Sequence, residues 1–267
     1  MRNTAKVFLF GFLCTVLAAF SVSAQESGSW LQKVKGFFKS SAAEQTQPAA
    51  ETDETADKPA KIAAPEKKTP VFDFSEKTIG NREAPLKINI FTSLTCPHCA
   101  GIHTRLLPYV KEKYADTNQA LIILNDFPLE PRAMTASTVA RCLNGDAYFA
   151  FVDTLFEKQK VWAVAPDVTE ALLPYAKLAG LSEDDVRACA KDKAASKELA
   201  RQRNLAIMRY KIHATPTLIL QLGKETERFE GAPNQKDVDE AIGKLKEKYT
   251  GPWPSATETT KPEPSAP

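Results

Sequence analysis

The chain has 267 residues, of which 43% are hydrophobic and 25% are charged, a composition typical of a soluble globular protein with one large domain or two small ones. The formal net charge is +2, and Arg2 and Lys6 of a predicted leader account for it, so the rest of the chain is neutral overall. This balance argues against nucleic-acid binding, which needs a basic patch to neutralise phosphates.

Residues 1–24 have the pattern of a secretory signal peptide. Arg2 and Lys6 form a charged start, residues 7–20 are apolar, and residues 21–24 are small. The apolar core of about 14 residues is short for a membrane span, although an uncleaved membrane anchor is the alternative interpretation. After cleavage of this leader the chain would keep an even number of cysteines, which favours two disulfide pairs in an oxidising compartment. These cysteines are Cys96, Cys99, Cys142 and Cys189.

Two flanking regions are predicted to lie outside the globular part. Residues 25–70 combine an amphipathic stretch at 30–39 with a linker, and residues 250–267 form a Pro-rich tail. The linker and the tail contain too few large apolar residues to offset the entropy of ordering, so both are predicted to be disordered. The stretch 30–39 places its apolar residues on one helical face. Three interpretations stay open for it: a membrane-surface helix, self-association, or a segment that is disordered or packs on the domain.

Residues 71–249 are predicted to form the globular domain, which begins with strands. Residues 71–74 predict a short strand, and residues 86–92 alternate in a way that suits a second strand. Helical spacing follows over 102–114, and the apolar run 120–124 suits a buried strand.

The pattern becomes helical between about residues 130 and 195. Apolar residues recur at helical spacing over 133–143 (ended by Asn144-Gly145), 147–158, 168–179 and 183–191 (capped by Ser182 and Asp185). Further elements are predicted at 196–209 (helix), 217–221 and 225–229 (strands) and 235–248 (helix). The predicted fold class is α/β, with helices inserted between the strand ending near 125 and the helix starting near 196.

The motif Cys96-Pro97-His98-Cys99 lies between the strand at 86–92 and the helix that follows it. At a helix N-terminus, free N–H groups and the macrodipole favour an anion, and His98 adds a donor and a possible positive charge. We therefore expect a low pKa for the Cys96 thiol, with Pro97 and His98 as tuning residues. A stabilised thiolate is a good leaving group, which makes a Cys96–Cys99 disulfide a strong oxidant. Cys99 is the predicted ring-closing partner.

Other uses of this cysteine pair fit less well. A zinc site needs four ligands, and the two cysteines with His98 or His103 give at most three nearby. Haem attachment needs a histidine after the second cysteine, where Ala100 stands. A static structural disulfide remains as an alternative. We therefore expect neither a metal nor a cofactor, and we interpret His103 and His213 as packing or surface residues.

Cys142 and Cys189 lie on separate predicted helices of the inserted block. A structural disulfide between them is favoured over buried free thiols. It would close a loop of about 48 residues and contribute a few kcal/mol in the chain-entropy model.

The order of these elements, the CPHC motif and Ala214-Thr215-Pro216-Thr217 before a late strand resemble the thioredoxin fold with a helical insertion. More narrowly, the sequence resembles the DsbA family of bacterial periplasmic thiol oxidoreductases, also at Ile79-Gly80-Asn81 and Asp126-Phe127-Pro128-Leu129. The resemblance covers residues 71–249. It departs from the family at Ile90, six residues before Cys96, where well-known oxidases carry a buried acid. Thr215 is a residue also seen in isomerase relatives.

The resemblance implies a cis peptide bond at Pro216, beside the dithiol. It also implies that Thr215 offers its backbone to an extended substrate strand, which suits an enzyme acting on many unfolded proteins. The leading hypothesis is a periplasmic thiol:disulfide oxidoreductase that oxidises exported proteins and is reoxidised by a quinone-linked membrane partner of the DsbB type. Two alternatives are an oligomeric isomerase or reductase using the same site, and an envelope chaperone that keeps the fold without the chemistry.

Overall fold

A computed structural model describes residues 69–254 of the chain. The predicted leader at 1–24 and the stretch at 30–39 lie outside the described residues. The same holds for the predicted linker up to residue 68 and for residues 255–267 of the predicted tail. Within 69–254, no helix combines the length and apolarity needed to cross a membrane.

Five strands form one mixed sheet in the order β1-β3-β2-β4-β5. They are β1 (Lys77–Gly80), β2 (Leu86–Thr92), β3 (Ala120–Asp126), β4 (Thr217–Leu222) and β5 (Glu225–Glu230). Only β2 and β3 run parallel to each other; the remaining neighbours pair antiparallel. The central strand β2 is buried on both faces, including the polar Asn89, because its neighbours and the flanking helices cover it; its alternating pattern alone predicts one polar face.

The first helix, α1, occupies 97–115 and follows β2 directly. It consists of the α-helical segments Pro97–Gly101 and Leu107–Val110, which alternate with the π-helical segments Ile102–Leu106 and Lys111–Ala115. The first wide turn lies immediately before Pro108, where the Leu107 N–H donates to the Ile102 carbonyl. Because proline has no N–H group, a helix that contains it must rearrange its hydrogen bonds at that point.

Six helices separate β3 from β4, and a last helix follows β5. The six are α2 (Pro131–Ala140), α3 (Gly145–Glu157), α4 (Gln159–Trp162), α5 (Val168–Leu178), α6 (Glu183–Lys191) and α7 (Lys193–Tyr210). The last helix is α8 (Gln235–Lys248). Two large apolar cores result: one joins the sheet to α1 and α8, and the other lies within the helical block and reaches Leu94 and Cys99.

The predicted strand at 71–74 is wrong. The first strand lies at Lys77–Gly80, and residues 71–74 pair with no other strand. The Asp73 N–H donates to the carbonyl of Arg141, just past α2, over 2.8 Å. Phe72 and Phe74 stack on each other, with ring centroids 6.0 Å apart. Apolar residues can therefore pack partly buried without a strand ladder when a distant carbonyl pairs with the backbone.

Two helix boundaries differ from the prediction, and a capping side chain accounts for the second of them. The helix predicted over 133–143 ends at Ala140, and Asn144 is the N-cap of α3 rather than the end of α2. The helix predicted from residue 196 begins at Lys193, since the Asp192 carboxylate accepts from the Ala195 N–H. The capping box at Ser182 and Asp185 is present as predicted.

A buried ion pair connects the helical block to the end of β3. The Arg141 Nε donates to Asp126 Oδ2 at the end of β3 over 2.7 Å, with both side chains more than nine-tenths buried. Arg141 also donates to the Ser75 carbonyl over 2.9 Å. These bonds connect β3, α2 and the segment before β1.

Candidate active site at the start of helix α1

Cys96 is the N-cap of α1, and Cys99 lies in its first turn. Pro97 occupies the first helical position, where its missing N–H costs no hydrogen bond. The Cys96 carbonyl accepts from the Cys99 N–H over 3.1 Å, which closes the turn. Both cysteines are free thiols: Cys96 is half-buried and Cys99 is fully buried. Only Cys96 is therefore accessible to another thiol.

The loop before β4 forms the opposite wall of the site. The Thr215–Pro216 peptide bond is cis, and the Cys96 Sγ donates to the Thr215 carbonyl over 3.4 Å. The two segments meet although 119 residues separate them, because β2 and β4 are neighbours in the sheet. The Pro216 carbonyl accepts from the Gly231 N–H over 2.8 Å, which holds the loop. The structure thus brings together Cys96, Cys99, Thr215 and Pro216.

The two thiols have opposite acidities. A hydrogen bond from the Cys99 thiol lowers the pKa of Cys96 to about 5. Burial opposes this effect, while Thr215 and the backbone N–H groups of Cys99 and His98 lower the pKa further. The same hydrogen bond with Cys96, together with burial, raises the pKa of Cys99 far above its usual range. Near neutral pH, Cys96 is therefore a thiolate and Cys99 a protonated thiol.

His98 contributes to this acidity through its backbone. Its N–H group lowers the pKa of Cys96, while its side chain is exposed, like that of Pro97. The predicted tuning by the His98 imidazole therefore stays a prediction.

Gln159 is a site residue that the sequence analysis missed. Its buried amide nitrogen donates to the Leu94 carbonyl over 2.8 Å and to the Cys96 carbonyl over 3.0 Å. It lies on α4, 63 residues after Cys96. Trp162 of the same short helix is fully buried, and its Nε1 donates to the Leu155 carbonyl over 2.7 Å. Helix α4 is thus anchored in the helical core and holds the Cys96 loop from that side.

Comparison with known proteins agrees with this geometry. The sequence model of the family Thioredoxin matches residues 74–244. The crystal structure of alpha-DsbA1 from Wolbachia pipientis is similar with a TM-score of 0.58 and 30% identity, over 66% of this chain and 94% of that one. The chain belongs to the thioredoxin family, and within it to the DsbA-like proteins.

Two further matches extend the comparison. A Rickettsia bellii protein named "Putative protein-disulfide oxidoreductase" is 28% identical over 66% of this chain and 68% of its own length. The crystal structure of Chlamydia trachomatis DsbA has a TM-score of 0.57 over 70% of this chain and all of that one; at 18% identity it supports the fold alone. The predicted fold and recognition are confirmed, and this DsbA-like protein is a thiol:disulfide oxidoreductase.

The other two cysteines among residues 69–254 of this DsbA-like chain form a disulfide. Cys142, just past α2, is bonded to Cys189 of α6, with Cα atoms 6.4 Å apart and a sequence separation of 47. Cys189 is fully buried in the core of the helical block. The bridge therefore lies within the helical block and joins the turn after α2 to α6.

The histidines outside the motif differ in environment. His213 is exposed, whereas His103 is buried on α1 and stacks on Phe156 with ring centroids 4.0 Å apart. Among residues 69–254, no cluster of three or more histidine, cysteine, aspartate or glutamate side chains could hold a metal ion.

Proposed function

We propose that the protein is a periplasmic oxidase that introduces disulfides into exported proteins through Cys96 and Cys99. The observation that carries this proposal is the contrast between the two thiols, with the pKa of Cys96 lowered to about 5 and that of Cys99 raised. A disulfide whose exposed sulfur leaves as a stable thiolate is readily reduced, so it oxidises other dithiols. The proposed redox centre is this pair itself, without a cofactor.

The reaction begins with the oxidised Cys96–Cys99 pair. A substrate thiolate attacks the Cys96 Sγ, because Cys99 is fully buried. The Cys96–Cys99 bond breaks, its electron pair goes to Cys99, and a mixed disulfide forms between Cys96 and the substrate. A second substrate thiolate then attacks the substrate sulfur of the mixed disulfide. The substrate disulfide forms, and Cys96 leaves as the thiolate that its helix N-terminus stabilises.

Substrate binding is proposed at the cis-proline loop. Thr215 is partly exposed, and its carbonyl oxygen lies 3.4 Å from the Cys96 sulfur. An extended peptide lying beside Thr215 and Pro216 would be recognised through its main chain, with little demand on its side chains. Such recognition suits many different reduced or unfolded proteins as substrates.

The cellular setting follows from the predicted leader and the family. We propose export to the periplasm and reoxidation by a quinone-linked membrane protein of the DsbB type. The even number of cysteines after residue 24 is consistent with an oxidising compartment.

The deciding experiment is the reduction potential of the Cys96–Cys99 pair, measured by equilibration with glutathione buffers. A value near −120 mV, which is about that of DsbA, supports the oxidase, whereas a value near −270 mV, about that of thioredoxin, contradicts it. Refolding of scrambled ribonuclease is the companion assay. High isomerisation activity with weak oxidation of reduced ribonuclease would favour the isomerase.

A further inference from the structure

Cys99 must exchange a proton in every catalytic cycle. It leaves as a thiolate when a substrate attacks Cys96, and it is a fully buried thiol in the reduced protein. Its neighbour Cys96 and its burial both raise the pKa of Cys99. A thiolate at this place is therefore costly, and the proton must reach it through the protein interior.

A buried histidine lies one turn further along the same helix. His103 is 5% exposed, and neither of its ring nitrogens has a hydrogen-bond partner among the residues that the structure describes. A buried polar atom left unpaired costs about 1–3 kcal/mol, so packing alone is a poor reason for a histidine here. A phenylalanine would stack on Phe156 equally well without that cost.

The position of His103 directs it toward Cys99. His103 stands four residues after Cys99, a spacing that puts two residues on the same face of an α-helix, and the π-helical segment that begins at Ile102 widens the turn between them. Helical side chains also lean toward the N-terminus, which favours a position of the His103 ring near the turn that contains Cys99. Phe156, on which His103 stacks, belongs to the same buried core as Cys99.

On its other side, the His103 ring lies near a solvent-exposed acid. The His103 Nδ1 lies 3.6 Å from Asp153 Oδ1 on α3. The His103 side chain is 2% exposed, whereas that of Asp153 is 53% exposed. One acid therefore connects the buried imidazole with bulk water.

We propose that His103 carries the proton to and from Cys99, and that Asp153 passes it between His103 and solvent. This inference rests on the proposed exchange at Cys96 and Cys99 and deepens it. When substrate attack breaks the Cys96–Cys99 bond, the electron pair stays on Cys99 and the His103 imidazolium gives its proton to that sulfur. The neutral imidazole then regains a proton from water by way of Asp153. In the reverse direction His103 accepts the Cys99 proton, and the thiolate attacks Cys96 of the mixed disulfide.

Other groups near this route do not replace His103. Tyr148 of α3 is fully buried, and burial raises its pKa, so the phenol stays neutral. The other acids of α3, Asp146 and Glu157, are exposed. On α1, the Arg105 side chain is exposed, while Ile90 of β2 is fully buried and has no proton to give.

The test is the rate at which reduced glutathione reduces the oxidised protein, followed by stopped flow from pH 5 to pH 9. For His103→Gln we expect a rate at pH 7 lowered by at least about tenfold, since a positioned acid or base typically contributes more than this. We also expect the shape of the rate–pH profile of His103→Gln to differ from that of the unchanged protein, because the imidazole no longer carries the proton. Asp153→Asn is expected to slow the reaction several-fold, and Asp146→Asn, an exposed acid on the same helix, to leave it unchanged.

Several outcomes would overturn the proposal. An unchanged rate–pH profile in a folded His103→Gln protein, judged by near-ultraviolet circular dichroism, rules out the proton-carrying role. Should that variant fail to fold, the exposed Asp153→Asn change decides, and equal rates for it and Asp146→Asn contradict the route. Exchange with glutathione does not depend on the oxidase role. A reduction potential near −270 mV with an altered His103→Gln profile would therefore reject the oxidase and keep the proton carrier.

Discussion

Cys96 and Cys99 stand as free thiols at the start of α1, whereas Cys142 and Cys189 are joined within the helical block. The first pair lies within one helical turn at a helix N-terminus, and its exposed member has a pKa lowered to about 5. The second pair is separated by 47 residues, and Cys189 is fully buried. The surroundings of the two pairs therefore differ: those of the first suit the proposed exchange chemistry, whereas the second pair constrains the chain.

Replacing Cys96 by serine is expected to have the largest effect, and that effect is on thiol-exchange activity. The variant keeps the helix N-terminus but loses the sulfur that substrates attack, so thiol exchange should fall to background. Insulin reduction and oxidation of a dithiol peptide measure this, with Cys142→Ala/Cys189→Ala as the control that retains activity. Normal activity in Cys96→Ser would mean that the chemistry lies elsewhere and would leave a chaperone role for the fold.

Removing the second pair should affect stability instead. Opening a loop of about 48 residues costs about 4 kcal/mol in the chain-entropy model. We therefore expect Cys142→Ala/Cys189→Ala to lower the free energy of unfolding by about 2–4 kcal/mol, measured by urea denaturation, with exchange rates at Cys96 nearly unchanged. A loss of exchange activity in the folded variant would show that the two pairs are functionally coupled.

The acidity of Cys96 predicts its behaviour with pH. Since its pKa is lowered to about 5, the thiolate fraction at pH 7 exceeds that of a free cysteine by about 30-fold. Thiolate absorbance at 240 nm in the reduced protein should titrate near pH 5, and Cys96→Ser should abolish this transition. A transition near pH 8.5 would contradict the thiolate assignment.

The same shift makes the stability of the reduced protein depend on pH. A group whose pKa is lowered in the folded state contributes in full above its unfolded pKa. This contribution falls as the pH drops toward about 5, the folded pKa of Cys96. Relative to the oxidised form, in which Cys96 does not titrate, the reduced form should lose stability as the pH falls from about 8.5 to 5, which paired thermal melts can measure.

Local patterns predicted most of the fold. Alternation in β2, the capping box at Ser182 and the CPHC motif each depend on residues close together in the chain. The failures involve long-range partners. The Asp73 N–H pairs with the carbonyl of Arg141, which no local pattern shows.

Within the site, the motif and the family resemblance identified Cys96, Cys99, Thr215 and Pro216. The resemblance was needed for the last two, because an ordinary Thr-Pro pair gives no sign of a cis bond. Gln159 gave no signal, since a lone glutamine between helical patterns is usually a surface residue. Its partners are backbone carbonyls 63 and 65 residues away, which the sequence alone does not bring near.

The smallest expected effect is at Gln159, which connects the helical block to the Cys96 loop. Gln159→Leu keeps the volume but leaves the carbonyls of Leu94 and Cys96 without this donor, so we expect a loss of about 1–3 kcal/mol in unfolding free energy. Val161→Ala, a change at a 63% exposed residue of the same short helix, should stay within about 0.5 kcal/mol. Urea denaturation compares the two variants, and glutathione exchange reports on the Cys96 loop. Equal stability of both variants would mean that the helical block does not hold the Cys96 loop through this side chain.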